Sequence, residues 1–370
     1  MGNRKNDRAG QNEDQTASRL YPGADITLYP KPEVSITRWY GDAKAACSLT
    51  FDDGTLDHYL AAFPIMEEYN LKGTFFLMVK GRESGIWNDY GSERQLMSWK
   101  QAGQMGRAGH EIGSHSVNHL DLRATEKKED GIDILNHEFY GSREEIEKNT
   151  NSKITAFAWP YFRYTEYSQE KILDHYMVAR TGSIYPSKIT DIPASNLVSP
   201  PNPGAIPSYA LLSNQEISEW ESLATDVYSK GGWLSLCLHG IEKEGIPKEA
   251  LGWEAIPEKD FRSILNYISR KEIWAAPFGT VYQYIHQRDN TDIEIIKFTE
   301  TSLVIDLSFP MEYTARPVPI TLAINLPFDW NGRIYSADGT VIILYRDDSR
   351  ILADLIPHPP SEKGRYTYGF

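Results

Sequence analysis

The chain has 370 residues, 41% of them apolar and 12% aromatic, the make-up of a folded globular protein long enough for one large domain and a smaller one. Fifty-one acidic against 38 basic residues leave a formal net charge of −13, which argues against nucleic acid or an anionic membrane as the main partner. No apolar run is long enough to span a membrane, and Cys47 and Cys237 lie in apolar strand-like runs, as buried thiols outside any metal-ligand spacing.

Met1 to Ser18 is polar and lacks the apolar core of a secretory signal, and Asn6 breaks the myristoylation pattern that Gly2 begins. A disordered tail is expected to about Leu20, then an extended lead-in rich in proline and aromatics over 21–40, lying across the domain surface. Residues 1–43 form this tail and lead-in; the main domain is expected over 44–288. Ala45–Leu49 reads as a buried strand, and further strand-like runs follow at Thr74–Val79, Glu111–Ser114, Thr155–Trp159, Tyr176–Ala179, Trp233–Leu238 and Glu272–Ala275. Helical patterns fall between them, within Ser92–Ala108, Ile134–Asn149, Ser168–His175, Asn214–Lys230 and Glu258–Arg270. Ser213 and Glu216 fit a capping box for Asn214–Lys230. Strands alternating with helices predict a parallel sheet with helices outside it, open or closed as a barrel.

Two stretches break the rhythm. Ser183–Leu212 contains six prolines and no helical or strand period, as a long functional loop would. From Asp289 the pattern turns to short β-rich runs at Ile293–Phe298, Ser302–Leu307, Ile320–Leu326, Arg333–Ser336 and Thr340–Tyr345, with Asp338-Gly339 as a hairpin turn. Residues 289–370 therefore read as a small all-β domain.

Four motifs carry chemistry. Thr50-Phe51-Asp52-Asp53-Gly54 ends a strand with adjacent carboxylates that point to opposite sides, so one can face a ligand or metal while the other accepts a proton. In Ser114-His115-Ser116-Val117-Asn118-His119 a helix-like turn puts both imidazoles on one side, and with a carboxylate they suit zinc or a similar divalent ion. His110, just before, reads as a structural residue capping a backbone group. Phe157-Ala158-Trp159-Pro160-Tyr161 runs a strand into a turn whose backbone N–H can face an oxyanion. Leu234–Leu238 is an apolar strand ending at His239 and Gly240, and sites in parallel sheets assemble at strand C-termini.

Together these pieces resemble the NodB-homology polysaccharide deacetylases, carbohydrate esterase family four, over about Lys44 to Ile285. Thr50–Gly54 is similar to the first motif, Ser114–His119 to the second, Phe157–Tyr161 to the third and Leu236–His239 to the fifth, and Ile273–Gly279 is similar to the usual last strand. The resemblance implies an α/β fold, a distorted, partly open (β/α) barrel, here with the C-terminal all-β domain. It implies a divalent metal on Asp53, His115 and His119 (zinc, with cobalt or nickel as alternatives), Asp52 as general base, His239 as general acid and the Tyr161 backbone N–H as oxyanion donor. Removal of N- or O-linked acetyl groups from a glycan is the activity implied, with hydrolysis of a non-peptide C–N bond in a small molecule, or glycan binding by a dormant site, as alternatives. Where the family's third motif often has an arginine, this chain has Ala158; Arg180 is expected to supply that guanidinium instead. No clear counterpart of the fourth motif is present. Trp159, Pro160 and Tyr161 are expected at the substrate, with Trp87 and Trp253 as further candidates for a glycan groove. The substrate class implies an exported protein whose signal is absent from this sequence.

Overall fold

The computed structural model describes residues 31–89, 91–182, 197–298, 303–308, 318–326, 342–346, 350–355 and 366–369. It separates into two compact units, one spanning Ala43–Ile285 and the other combining residues up to Asp42 with His286–Phe370.

The larger unit is built on parallel strands β1 (Ala45–Phe51), β2 (Thr74–Leu77), β3 (Glu111–Ser114), β4 (Ala156–Ala158), β5 (Val178–Arg180), β6 (Tyr209–Ala210), β7 (Trp233–Leu238) and β8 (Ile273–Ala275). They pair in the order β5-β4-β3-β2-β1-β7-β6, with β8 alongside the start of β1. Every residue of β1 and β7 is buried, as a strand covered on both faces requires, so their sequences are apolar runs without alternation. Phe51 stacks on Phe75 with centroids 4.7 Å apart, and each such buried side chain contributes roughly 1.5–3 kcal/mol. On the outer helix Glu258–Ser269 the apolar face is Phe261, Ile264, Leu265 and Ile268, all buried, as the spacing predicts.

The proline-rich stretch carries the main departure. Residues 183–196 lie outside the described residues, but the end of the stretch is structural and not simply a loop. Ile206 forms a parallel bridge with Arg180, taking the Ala179 carbonyl at 2.8 Å and giving its own to the Thr181 N–H at 2.8 Å. A few residues later β6 pairs with Leu236 and Cys237 of β7. This short irregular segment thus joins the two edges of the sheet and curls it into a distorted (β/α) barrel. Its two-residue strand is too short to leave a periodic signal.

Smaller differences have local causes. The start of Ser92–Ala108 is a hairpin, Ile86–Asp89 against Ser92–Gln95, and the helix begins at Trp99, where Ser98 and Gln101 form a capping box. The box expected at Ser213 is absent: Ile217–Lys230 starts from Glu216 without a side-chain cap, and the Ser213 hydroxyl bonds Glu254 instead.

In the second unit, Glu33–Ile36 pairs antiparallel with Ile320–Asn325, which pairs with Arg350–Leu355 and that in turn with Ile342–Arg346. The lead-in, expected across the surface of the main domain, is thus at residues 33–36 a strand of this sheet. A second sheet holds Asp292–Phe298, Leu303–Ser308 and Tyr366–Gly369. Arg333–Ser336, the Asp338-Gly339 turn, and residues 1–30 of the tail and lead-in lie outside the described residues.

Candidate active site

Register builds the site. Leu238 is paired with Phe51, and the Asp52 N–H bonds the Leu238 carbonyl at 2.9 Å, so Asp52 and His239 leave adjacent strands side by side. Likewise Leu77 pairs with Ser114, and Ser114 with Phe157, which sets His115 next to the end of β4. Strand C-termini at one level converge although the residues are far apart in sequence.

Asp53 Oδ1 lies 3.5 Å from His115 Nε2 and 3.4 Å from His119 Nε2, and all three ligating atoms fall within 4.8 Å of one another. These separations exceed those of strong hydrogen bonds and suit donors arranged around an ion. The far nitrogens are held: His115 Nδ1 is 2.8 Å from the Ala158 carbonyl, and His119 Nδ1 is 3.1 Å from the Tyr161 hydroxyl. Since a carbonyl only accepts, His115 carries its proton on Nδ1 and presents a bare Nε2 to the site. Burial pushes its pKa down to about 3, against the pull of Asp52, so the imidazole is neutral as a metal ligand must be. The donor set therefore fits a divalent ion of the zinc type. The His115–His119 segment is not helical; Ser116 and His119 take left-handed conformations, with φ 69° and 56°.

Asp52 is buried and gripped by Arg180, whose Nη2 bonds both carboxylate oxygens. Burial opposes ionisation, but Arg180, helped by His115 and His239, outweighs it and holds this carboxyl well below the usual carboxylate range. His239 Nε2 faces Asp52 Oδ2 at 3.9 Å, and His115 Nε2 lies 3.8 Å from the same oxygen. The Cys237 thiol also lies 3.5 Å from it; burial raises its pKa well above the ordinary thiol value, so it is a neutral donor and not a nucleophile. His239 Nδ1 has no hydrogen-bond partner among the described residues, so no carboxylate among them holds the ring through that nitrogen.

The aromatic assignments are partly overturned. Trp159 is fully buried among Phe139, Phe157 and Tyr164, with its Nε1–H donated to the Gly204 carbonyl at 2.8 Å, so it is core and not a sugar platform. Pro160 is buried with it, while half-buried Tyr161 packs on His119 at 4.5 Å between centroids. Trp253, 41% exposed, lies edge-on to His239 at 5.1 Å, and buried Trp87 lies against His119 at 5.2 Å. Alternation along the strand decides this: Trp159 follows β4 pointing inward, whereas Trp87, on the Ile86–Asp89 hairpin strand, and Trp253, on a loop, reach the site only in three dimensions.

Two buried charges shape the turns that carry the site, and neither leaves a motif. Arg82 donates from Nη2 to the carbonyls of Asp53 and Met78 at 2.9 and 3.0 Å, and from Nη1 to those of Gly54 and Met97 at 2.7 and 2.8 Å. Burial lowers its pKa to about 9, Asp53 opposing, which leaves it charged at neutral pH. Glu138, on a π-helical turn (His137–Gly141), accepts the N–H groups of Val117 and Asn118 at 2.9 and 2.8 Å and so sets the loop between the two histidines. By contrast His110 is structural, as expected; its Nδ1 accepts the Gly73 N–H at 3.1 Å. Gly54 is held at φ 72°, and a Cβ there would lie 2.5 Å from Leu77 Cδ2 and 2.7 Å from Arg82 Nη2. Gly54→Ala is expected to cost about 1–3 kcal/mol, seen as a lower midpoint in thermal unfolding.

The family model for polysaccharide deacetylase matches residues 41–178. Among curated proteins, a putative polysaccharide deacetylase, YxkH, of Bacillus subtilis is 26% identical over 148 residues, covering 40% of this chain and 48% of that protein. A gellan lyase of a Bacillus species is 22% identical over 324 residues, 83% of this chain and 12% of that protein. This chain thus spans about half of one relative's length and about an eighth of the other's. Among solved structures, a putative polysaccharide deacetylase from Mycobacterium smegmatis aligns with TM-score 0.47 at 14% identity, over 68% of this chain and 93% of that one. The Streptococcus pyogenes deacetylase PplD in complex with acetate aligns with TM-score 0.37 at 23% identity, over 48% and 69%. Residues 41–178 of this chain are thus similar to the polysaccharide deacetylase family.

Proposed function

We propose that the Ala43–Ile285 unit is a metal-dependent hydrolase that removes N- or O-linked acetyl groups from a polysaccharide or oligosaccharide. The observation that carries this reading is the convergence of Asp53, His115 and His119 on one point, with Asp52 and His239 beside it. Asp53, His115 and His119 would hold a divalent ion, zinc by the donor set. When bound, such an ion acidifies water and polarises a carbonyl.

The chain's own groups do the rest. Asp52, kept ionised by Arg180, accepts the proton of the attacking water. The backbone N–H of Tyr161, on a left-handed turn with φ 56°, donates to the oxyanion as it forms. His239 gives a proton to the departing sugar nitrogen or oxygen, since an unprotonated amide anion is too basic to leave. Trp253, exposed beside His239, offers a face for a sugar ring. Trp253→Ala is therefore expected to raise KM for glycan about tenfold with little change in the unfolding midpoint, because a half-exposed ring contributes more to binding than to the core. Trp159→Phe should show the reverse, unchanged KM with lower stability. Residues 289–370 are read as an accessory β-rich unit, and an acetylated structural glycan as substrate places the protein outside the cytoplasm, which cell fractionation tests.

Acetate release from a panel of N- and O-acetylated glycans tests the activity. Release from at least one, lost in Asp52→Asn, is the expected result. Glycan affinity without release would favour a binding protein, and cleavage confined to small amides would favour the other hydrolase.

A further inference from the structure

On the hydrolase reading, on which this inference rests, His239 must be aimed at the leaving group. His239 stands one residue past the end of β7, beyond the last ladder bond of the sheet, and no carboxylate orients its Nδ1. With only the Trp253 edge and Asp52 beside the ring, its aim depends on how its backbone is held.

Two buried side chains outside the family-like motifs reach that backbone. His58, fully buried on a π-helical turn (His58–Ala62), lies with Nε2 2.8 Å from the His239 carbonyl; a carbonyl only accepts, so Nε2–H is the donor. Asp57, also fully buried, accepts the Ile241 N–H on Oδ2 at 2.7 Å and the Gly252 N–H as well, while Thr55 Oγ1 donates to its Oδ1 at 2.6 Å. The carboxylate thus ties together two loops, one ending in His239–Ile241 and the other leading into Trp253. Both pass too close for side chains: a Cβ on Gly240 would lie 2.7 Å from Asp57 Oδ2, and one on Gly252 only 1.4 Å from the His239 carbonyl oxygen.

We propose that Asp57 and His58 are positioning residues: by holding the main chain at His239, Ile241 and Gly252, they aim the His239 imidazole and seat the Trp253 ring against it. Neither touches substrate. The helix after the Asp52-Asp53-Gly54 turn therefore aligns the proton donor with the proton acceptor from behind.

The test compares metal-loaded wild type, Asp57→Asn, His58→Leu and His58→Gln on two substrates, an N-acetylated oligosaccharide and 4-nitrophenyl acetate. The amide needs a proton on its leaving group; the nitrophenolate does not. Asp57→Asn and His58→Leu are expected to lose about 100-fold in kcat on the amide and under about threefold on the aryl ester, with zinc content unchanged. His58→Gln, which keeps an N–H to donate, should recover most of the amide rate. If Asp57→Asn fails to fold, the His58 pair decides. Parallel losses on both substrates, or no loss on the amide, would overturn the inference while leaving the hydrolase standing. A zinc-loaded wild type inert on both substrates would overturn the hydrolase reading itself, and this inference with it.

Discussion

Arg180→Ala is expected to lower acetate release by about 10²- to 10³-fold and to destabilise the fold by about 3–5 kcal/mol. The side chain is completely buried, between the rings of Phe76 and Phe162 at 5.4 and 5.3 Å, and its guanidinium bonds both oxygens of Asp52. Without it the burial of Asp52 is unopposed, its pKa rises, and a base that has taken up a proton cannot take another. The acidic limb of the rate profile should therefore move to higher pH. Stability gives an independent check. In the wild type the folded pKa of Asp52 is depressed, so its contribution is present in full above the ordinary Asp range and is lost as pH falls through the folded value. In the variant the folded pKa is raised, and protonation on the way down relieves the buried charge. Unfolding free energies in urea should thus differ most near pH 7 and draw together as pH falls below the variant's raised pKa, meeting only below the ordinary Asp range, where wild-type Asp52 is itself protonated. Arg180→Lys should restore the charge but not the planar group that bonds Asp52 through Nη2 while Nη1 reaches Ser208, and so only part of the rate. Unchanged deacetylation in Arg180→Ala would end the idea that this residue stands in for the arginine missing at Ala158.

The second large effect lies at the proposed metal ligands. Asp53→Asn and His119→Ala are each expected to abolish stoichiometric zinc binding and to lower activity at least about 10³-fold. Asparagine keeps the shape of Asp53 but removes the charge that two neutral imidazoles cannot supply. The readout separate from turnover is thermal: zinc should raise the unfolding midpoint of the wild type, since it binds only the folded chain, and leave both variants unmoved. Chelation should silence the wild type, and returned zinc restore it. Full activity after verified metal removal would sink the metal assignment.

The sequence was most informative where chemistry sits at strand ends. Asp52, Asp53, His115 and His239 each directly follow or nearly follow an apolar run, and the order of those runs predicts an alternating parallel sheet. Arg180 could also be found, because a family-like motif lacked its arginine and the next strand ended in one. The aromatic wall was less legible. Trp159 adjoins the motif in sequence but points into the core, while Trp87 and Trp253 stand far from any motif and touch the site histidines.

Residue order alone thus prescribes the alternating architecture and the groups whose chemistry is local: carboxylates beside a glycine, imidazoles four apart, a histidine after an apolar strand. What closes the barrel, which rings line the site and how the turns are held emerge only when distant segments meet. Those outcomes depend on register between strands and on buried charges meeting distant backbone groups. Arg82 on the Asp53-Gly54 carbonyls, Glu138 on the Val117-Asn118 amides and Asp57 on the Ile241 amide look, in sequence, like ordinary solvated residues. Their role comes from burial, where an unpaired peptide group costs more than the ordering of the side chain that satisfies it.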